Sequence, residues 1–90
     1  MTYDAAQTLA LRAVAHIAAE PDTLDRFMAL TGLAPDILRH RIAEPTVLAG
    51  VLDYMLADES LLIGFCAAEN IAPASVPAAR RALPGAESLS

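Results

Sequence analysis

The feature that most constrains this chain is a stretch of nine residues that occurs twice. Phe27–Pro35 reads FMALTGLAP and Phe65–Pro73 reads FCAAENIAP, without a gap and at an offset of 38 residues (65 − 27). Gly32 in the first copy aligns with Asn70 in the second, and both residue types tolerate the left-handed conformation that ends many helices. Each copy closes on a proline, Pro35 or Pro73, which is favoured at the first position of a helix. Each copy therefore predicts a helix end, a left-handed turn and the start of another helix.

The match extends beyond this turn, because residues 8–42 align with residues 46–80 in the same register. Phe27 and Phe65 are equivalent in that register, and we expect both in the core. The repeat predicts two related three-helix halves, each too small to bury its own apolar face and therefore packed on the other. The positions of the first half that are identical in the second are Thr8, Ala19, Leu24, Phe27, Ala29, Ala34 and Pro35.

Apolar residues recur at intervals of three and four along the chain, and no alternating strand pattern occurs. The predicted fold is all-α, a compact bundle of about six short helices. Their expected ranges are 4–19, 21–31, 35–42, 45–57, 59–69 and from 73 or 75 to about 83, with Ser75 favoured as the last N-cap. Gly50 lies inside the fourth helix at a cost of about 1 kcal/mol relative to alanine, and close approach of a neighbouring helix is the expected reason. Residues 1–84 form one domain, and residues 85–90 are predicted to be a flexible tail.

Composition and charge exclude several classes of protein. The hydrophobic fraction is 56%, above the usual ~45–50%. The net charge of −5 and the absence of lysine argue against the basic surface that nucleic acid requires. One cysteine and no signal-peptide pattern favour a reducing, cytoplasmic location. The longest uncharged apolar run, Leu61–Ala68, is far shorter than the ~20 residues that span a bilayer, so no membrane segment is expected.

No set of residues carries recognisable chemistry. His16 and His40 lie on different predicted helices, whereas a catalytic or metal site needs several such groups together. Cys66 lies in the most apolar helix with an acidic neighbour one turn away, so it is expected to be a buried small residue and not a nucleophile. Asp58 and Glu59 are explained by their place at a helix start. We therefore predict no catalytic residue, no metal ligand and no cofactor, and do not expect an enzyme.

A DNA-binding helix-turn-helix is an alternative interpretation of helices 21–31 and 35–42. Gly32, Leu33 and Leu38 match that motif, in which a glycine ends the first helix and apolar residues follow at fixed positions. Met28 departs from it, because a small residue is expected four positions before the glycine. Residues 39–41, Arg-His-Arg, could contact phosphate. The acidic chain as a whole disfavours a nucleic-acid partner.

The predicted fifth helix is apolar on nearly every side. Such a helix is either central in the core or half covered by another chain. Ile63 lies off the two rows of side chains expected to face inward, and its counterpart in the first half is Asp25, so it is the best candidate to face outward. The candidate interaction residues are Tyr54, Leu61 and Ile63, and the candidate structural residues of the turns are Gly32, Pro35, Asn70 and Pro73.

Two segments carry a resemblance to a known family, LTGLAP at residues 30–35 and VLDYMLADESL at residues 51–61. With these segments the chain resembles the domain of unknown function 3572 family, short uncharacterised proteins from alphaproteobacteria, over about residues 8–84. The resemblance implies a compact helical cytoplasmic protein. It implies no activity, so no functional residue follows from it.

These observations favour a small non-enzymatic interaction module, either a homo-oligomer or an adaptor for another protein. A homodimer is the simplest form, because most soluble oligomers are symmetric. The alternatives are nucleic-acid binding through the helix-turn-helix and a small-molecule binder with an apolar cleft between the halves.

Overall fold

The computed structural model describes residues 1–84, which form six α-helices and contain no strand. The helices are α1 (Tyr3–Ala18), α2 (Pro21–Thr31), α3 (Pro35–Arg41), α4 (Pro45–Leu56), α5 (Glu59–Glu69) and α6 (Ser75–Ala82). The predicted all-α bundle is confirmed. No helix within the described range is long and apolar enough to cross a bilayer. The predicted tail, residues 85–90, lies outside the described residues.

Both copies of the repeated turn end a helix in the left-handed conformation. Gly32 has a φ of 74°, and its N–H donates to the carbonyl oxygen of Met28 at 2.8 Å. Asn70 has a φ of 54°, and its N–H donates to the carbonyl oxygen of Cys66, which aligns with Met28 in the repeat. The predicted positive φ angles are therefore confirmed at both positions. Pro35 opens α3 as expected, whereas Pro73 lies in the turn before α6.

The caps of the last two helices differ in how well the sequence predicts them. Asp58 caps α5 as expected, since its carboxylate accepts from the N–H of Leu61 at 3.1 Å. The prediction that Ser75 caps α6 is wrong, because α6 begins at Ser75 and its N-cap is Ala74. The N–H of Ser75 already donates to the carbonyl oxygen of Ala72 at 2.9 Å, so a turn before the helix satisfies this group.

Helices α1 and α4 lie at the centre of the bundle. α4 packs against α1, α5 and α6, and α1 packs against α2, α4 and α6. α5 buries only Phe65 and Cys66, so the alternative in which α5 is the enclosed centre of the core is wrong. α4 takes that place because its apolar side chains can pack against helices on several sides. Its buried residues are Val47, Leu48, Ala49, Val51, Leu52 and Met55.

Two aromatic contacts join the halves of the chain reciprocally. His16 of α1 packs edge-on against Phe65 of α5, with ring centroids 5.5 Å apart. Tyr54 of α4 packs edge-on against Phe27 of α2, with centroids 5.1 Å apart. In the repeat, His16 aligns with Tyr54 and Phe65 with Phe27, so equivalent positions make the same contact in both directions. Two related halves packed face to face would produce this reciprocal pattern. That the two halves are structurally equivalent stays a prediction.

Gly50 is not explained by a closely approaching helix, which corrects the expectation from the sequence. A Cβ atom on Gly50 would meet no atom within 4 Å. Gly50 lines a hollow together with Thr31 and Thr46. In the repeat it aligns with Arg12, whose guanidinium Nε lies 3.0 Å from the Glu69 carboxylate. The hollow therefore lies where the equivalent position of the first half carries a long side chain.

We expect Gly50→Ala to raise the free energy of unfolding by about 0.5–1 kcal/mol, because alanine loses less backbone entropy in a helix. Gly32→Ala is the matched control. Its Cβ would also meet no atom within 4 Å, but its φ is 74°, so a loss of about 1 kcal/mol is expected. Urea unfolding followed by circular dichroism measures both changes. A less stable Gly50→Ala variant would contradict the open hollow.

Candidate interaction surfaces

The outer side of α5 carries no charge across two turns. Ile63 is 55% exposed. Ser60, Gly64 and Ala67 are also exposed, and their spacing of three and four residues places them with Ile63 on one helical face. A solvent-facing side of a helix ordinarily carries charged or polar residues. This uncharged stripe is therefore a candidate contact surface.

A hollow of about 350 Å³ adjoins that stripe, between α2, the end of α4 and the start of α5. Leu30 on its α2 side is 71% exposed, the highest value among the large apolar residues of the described chain. Tyr54 and Ala57 also line the hollow, and Ser60 lines it one turn before Ile63. We call this surface, made of Leu30, Tyr54, Ser60, Ile63 and Gly64, the α2–α5 face.

Charges of both signs border the α2–α5 face. Arg26 lines the hollow on the α2 side, and Asp58 and Glu59 line it at the start of α5. Within residues 1–84, Arg26 and Glu59 form no ion pair. The rim can therefore pair with a surface that carries the same two signs in the opposite order.

The three predicted interaction residues differ in their exposure to solvent. Ile63 is exposed, Tyr54 is half-buried in the hollow, and Leu61 is half-buried against the core. Leu30 and Arg26 are not predicted by the sequence. The available signal is that both lie off the apolar row of α2, but an isolated exposed leucine is ordinary on a protein surface.

A second apolar surface is a groove of about 280 Å³ between α1, α2 and α3, which we call the α1–α3 groove. Several of the apolar residues that line it are not fully buried. Val14, Leu24 and Met28 are half-buried, and Ala18 is exposed. Only Leu38 of α3 is buried. The lining residues are Val14, Ala18, Leu24, Met28, Pro35, Leu38, Arg39 and Ile42. The groove lies within the first half of the chain and not between the halves.

The repeat accounts for the asymmetry that leaves this groove open. α6, the counterpart of α3, packs on both α1 and α4, and its Ala79 is fully buried. The aligned residue of α3 is Arg41, whose charged side chain opposes such close packing. The second half also carries Leu56 where the groove has Ala18. Smaller residues on α1 and a charged residue on α3 thus leave the first half less filled.

Arg41 and His40 of α3 are hydrogen-bonded within the chain, whereas Arg39 makes only a long, exposed ion pair. The Arg41 guanidinium donates two hydrogen bonds to the Glu44 carboxylate, at 2.9 and 3.0 Å. These bonds hold the pKa of Glu44 below its usual value. His40 Nδ1 lies 2.8 Å from the carbonyl oxygen of Asp36, and Arg39 lies 3.9 Å from the Asp36 carboxylate. Of the three side chains that a helix-turn-helix would present to phosphate, Arg39 and Arg41 therefore have an acidic partner, and His40 contacts a backbone carbonyl oxygen.

Cys66 is buried in the core and is not placed as a reactive thiol. Cys66 is 5% exposed, and burial raises the pKa of its thiol. The prediction of a buried small residue is confirmed, and the thiol is protonated at neutral pH. Within residues 1–84, no group of three or more His, Cys, Asp or Glu side chains is placed to hold a metal ion.

The fold and these surfaces define a small all-α protein that exposes two apolar regions. The family described as protein of unknown function (DUF3572) matches residues 3–86, so the chain belongs to that family, as the resemblance predicted. No curated protein and no solved structure matches the chain.

Proposed function

We propose that this protein is a non-enzymatic interaction module that forms a symmetric homodimer through the α2–α5 face. The observation that carries the proposal is the exposure of Leu30, which lines the hollow, and of Ile63, one turn after the hollow residue Ser60, at 71% and 55%. Exposed apolar surface of this kind marks contact sites on soluble proteins.

A second copy of this chain is the occupant that the face fits best. Under two-fold symmetry the same patch faces itself, so a protruding side chain of one copy can enter the hollow of the other copy. The rim obeys the same rule, because Arg26 of one copy can face Glu59 of the other. Gly64 and Ala67 allow the two α5 helices to approach closely, since neither carries a bulky side chain.

The size of the face indicates which elements take part. A stable interface takes about 800 Å² from each partner. The chain exposes 5,213 Å², so the contact would use roughly a sixth of its surface. Leu30 of α2 extends the surface of α5 toward that size.

Replacing Ile63 by Asp tests the proposal. We expect a folded protein, because Ile63 is 55% exposed, with a dimer dissociation constant raised about 100-fold or more, since two unpaired carboxylates would enter the interface. Sedimentation equilibrium measures the constant, and circular dichroism confirms the fold. Ile37→Asp is the matched control, because Ile37 is 46% exposed on α3, away from this face.

A charge exchange separates self-association from docking of another protein. Arg26→Glu and Glu59→Arg should each weaken the dimer, and the double variant should restore it, because both signs come from the same chain. A wild-type protein that sediments as a monomer at high concentration would contradict the proposed homodimer. So would an Ile63→Asp variant that dimerises as tightly as the Ile37→Asp control.

A further inference from the structure

We propose that the α1–α3 groove binds a free medium-chain fatty acid, with the alkyl chain in the groove and the carboxylate on Arg39. This site is separate from the α2–α5 face and does not depend on dimer formation. Among residues 1–84, the lining consists of apolar side chains and one charged side chain, Arg39. A single-chain carboxylate has the same division into one apolar chain and one charged end.

The dimensions of the groove favour an alkyl chain over a helix of another protein. Its volume of about 280 Å³ lies at the lower limit of ligand pockets, ~300 Å³. α1 contributes Val14 and Ala18, one turn apart, and α2 contributes Leu24 and Met28, also one turn apart. A docked helix requires anchors across two turns or more, about 10 Å. α3 adds Pro35, Leu38 and Ile42 over two turns, so it is the small volume of the groove that favours a short alkyl chain over a helix about 10 Å across.

The Arg39 guanidinium is available to a carboxylate. Its ion pair with Asp36 is 3.9 Å long, and both side chains are largely exposed, 77% and 86%. Such a pair contributes little stability and is readily exchanged. A guanidinium presents five N–H donors in a plane, which suits two-point contact with a carboxylate. Met28 adds an adaptable side chain to the floor, since methionine fills irregular apolar spaces.

In the aligned part of the second half, larger apolar side chains fill the space that forms the groove in the first half. Leu56 stands there in place of Ala18, Leu52 in place of Val14, and Pro77 in place of Arg39. Leu52 is fully buried, and Leu56 is half-buried against the core. The first half therefore lacks both the leucines that fill this space and the uncharged residue at its edge. The substitution Ala18→Leu would copy the closed arrangement.

Titration of the full chain with octanoate, followed by two-dimensional NMR, tests the site. We expect saturable binding with a dissociation constant of about 1 mM or tighter, and shifts centred on α1, α2 and α3. Arg39→Gln should weaken octanoate about threefold to tenfold, whereas Arg81→Gln on α6 should have no effect. Octan-1-ol, which lacks the charge, should bind wild type as weakly as octanoate binds Arg39→Gln.

Ala18→Leu decides whether the groove is the site. It should abolish octanoate binding and raise the melting temperature, because the new side chain fills the apolar space. Ala15→Leu is the matched control on the exposed side of α1 outside the lining, and it should bind octanoate like wild type. Non-saturable shifts in wild type, or unchanged binding in Ala18→Leu, would overturn the site. Equal affinity for octanoate and octan-1-ol would overturn the assignment of the carboxylate to Arg39.

Discussion

Replacing Phe65 by Ala should lower the free energy of unfolding by about 3–5 kcal/mol. Phe65 is fully buried, so the change leaves a cavity against α4 and removes the edge-on contact with His16. A domain of this size has a total stability of about 5–15 kcal/mol, and much of it would be lost. Urea unfolding followed by circular dichroism measures the change.

Phe27→Ala provides the comparison that the repeat requires. Phe27 is 2% exposed and makes the equivalent edge-on contact with Tyr54, so a loss of similar size is expected. Leu30→Ala, on the same helix but 71% exposed, should cost less than about 0.5 kcal/mol in the monomer. A Phe65→Ala variant as stable as wild type would contradict the core, and a large effect at only one phenylalanine would remove the physical basis for equivalent halves.

Replacing Asp53 by Ala should lower the free energy of unfolding by about 2–3 kcal/mol, below the ~3–5 kcal/mol for a fully buried pair. Arg80 is only 8% exposed, and its Nε donates to the Asp53 carboxylate at 2.6 Å. Without Asp53 the guanidinium keeps its bond to the Pro84 carbonyl oxygen at 3.1 Å, but its charge stays buried without a counter-ion. The Asp53 side chain is 46% exposed, so water reduces the loss. Thermal and urea unfolding measure it.

Two further variants identify the cause of that loss. Asp53→Ala/Arg80→Met should recover most of the stability, because no buried charge remains and the methionine fills the same space. Glu69→Ala breaks the more exposed pair with Arg12 and should cost less than about 1 kcal/mol. If Asp53→Ala cost no more than Glu69→Ala, the Asp53–Arg80 pair would not be a determinant of α6 packing.

The helix boundaries of this protein could be predicted from its sequence because residues close to each boundary determine them. Pro21 and Pro45 fix helix starts, since proline lacks the N–H that a first helical residue does not need. Gly32 and Asn70 end helices because few other residues tolerate positive φ. Burial of both phenylalanines could also be predicted, because each lies on the apolar row of its helix beside such a turn. The helix starts and ends use neighbours within about one helical turn, whereas the expectation for the two phenylalanines also uses the repeat at an offset of 38 residues (65 − 27).

Only the tertiary structure decided which surfaces remain open. The sequence shows α5 as apolar on nearly every side, yet α1 and α4 occupy the centre and leave Ile63 exposed. The spacing of apolar residues places Ala18 on the apolar side of α1 and Leu24 on that of α2, yet both line the α1–α3 groove. The Arg12–Glu69 pair joins residues 57 positions apart, which no local pattern predicts. Helical periodicity specifies which side of a helix is apolar. The helix that packs against that side depends on contacts between distant segments, and these contacts bury more of α6 than of α3.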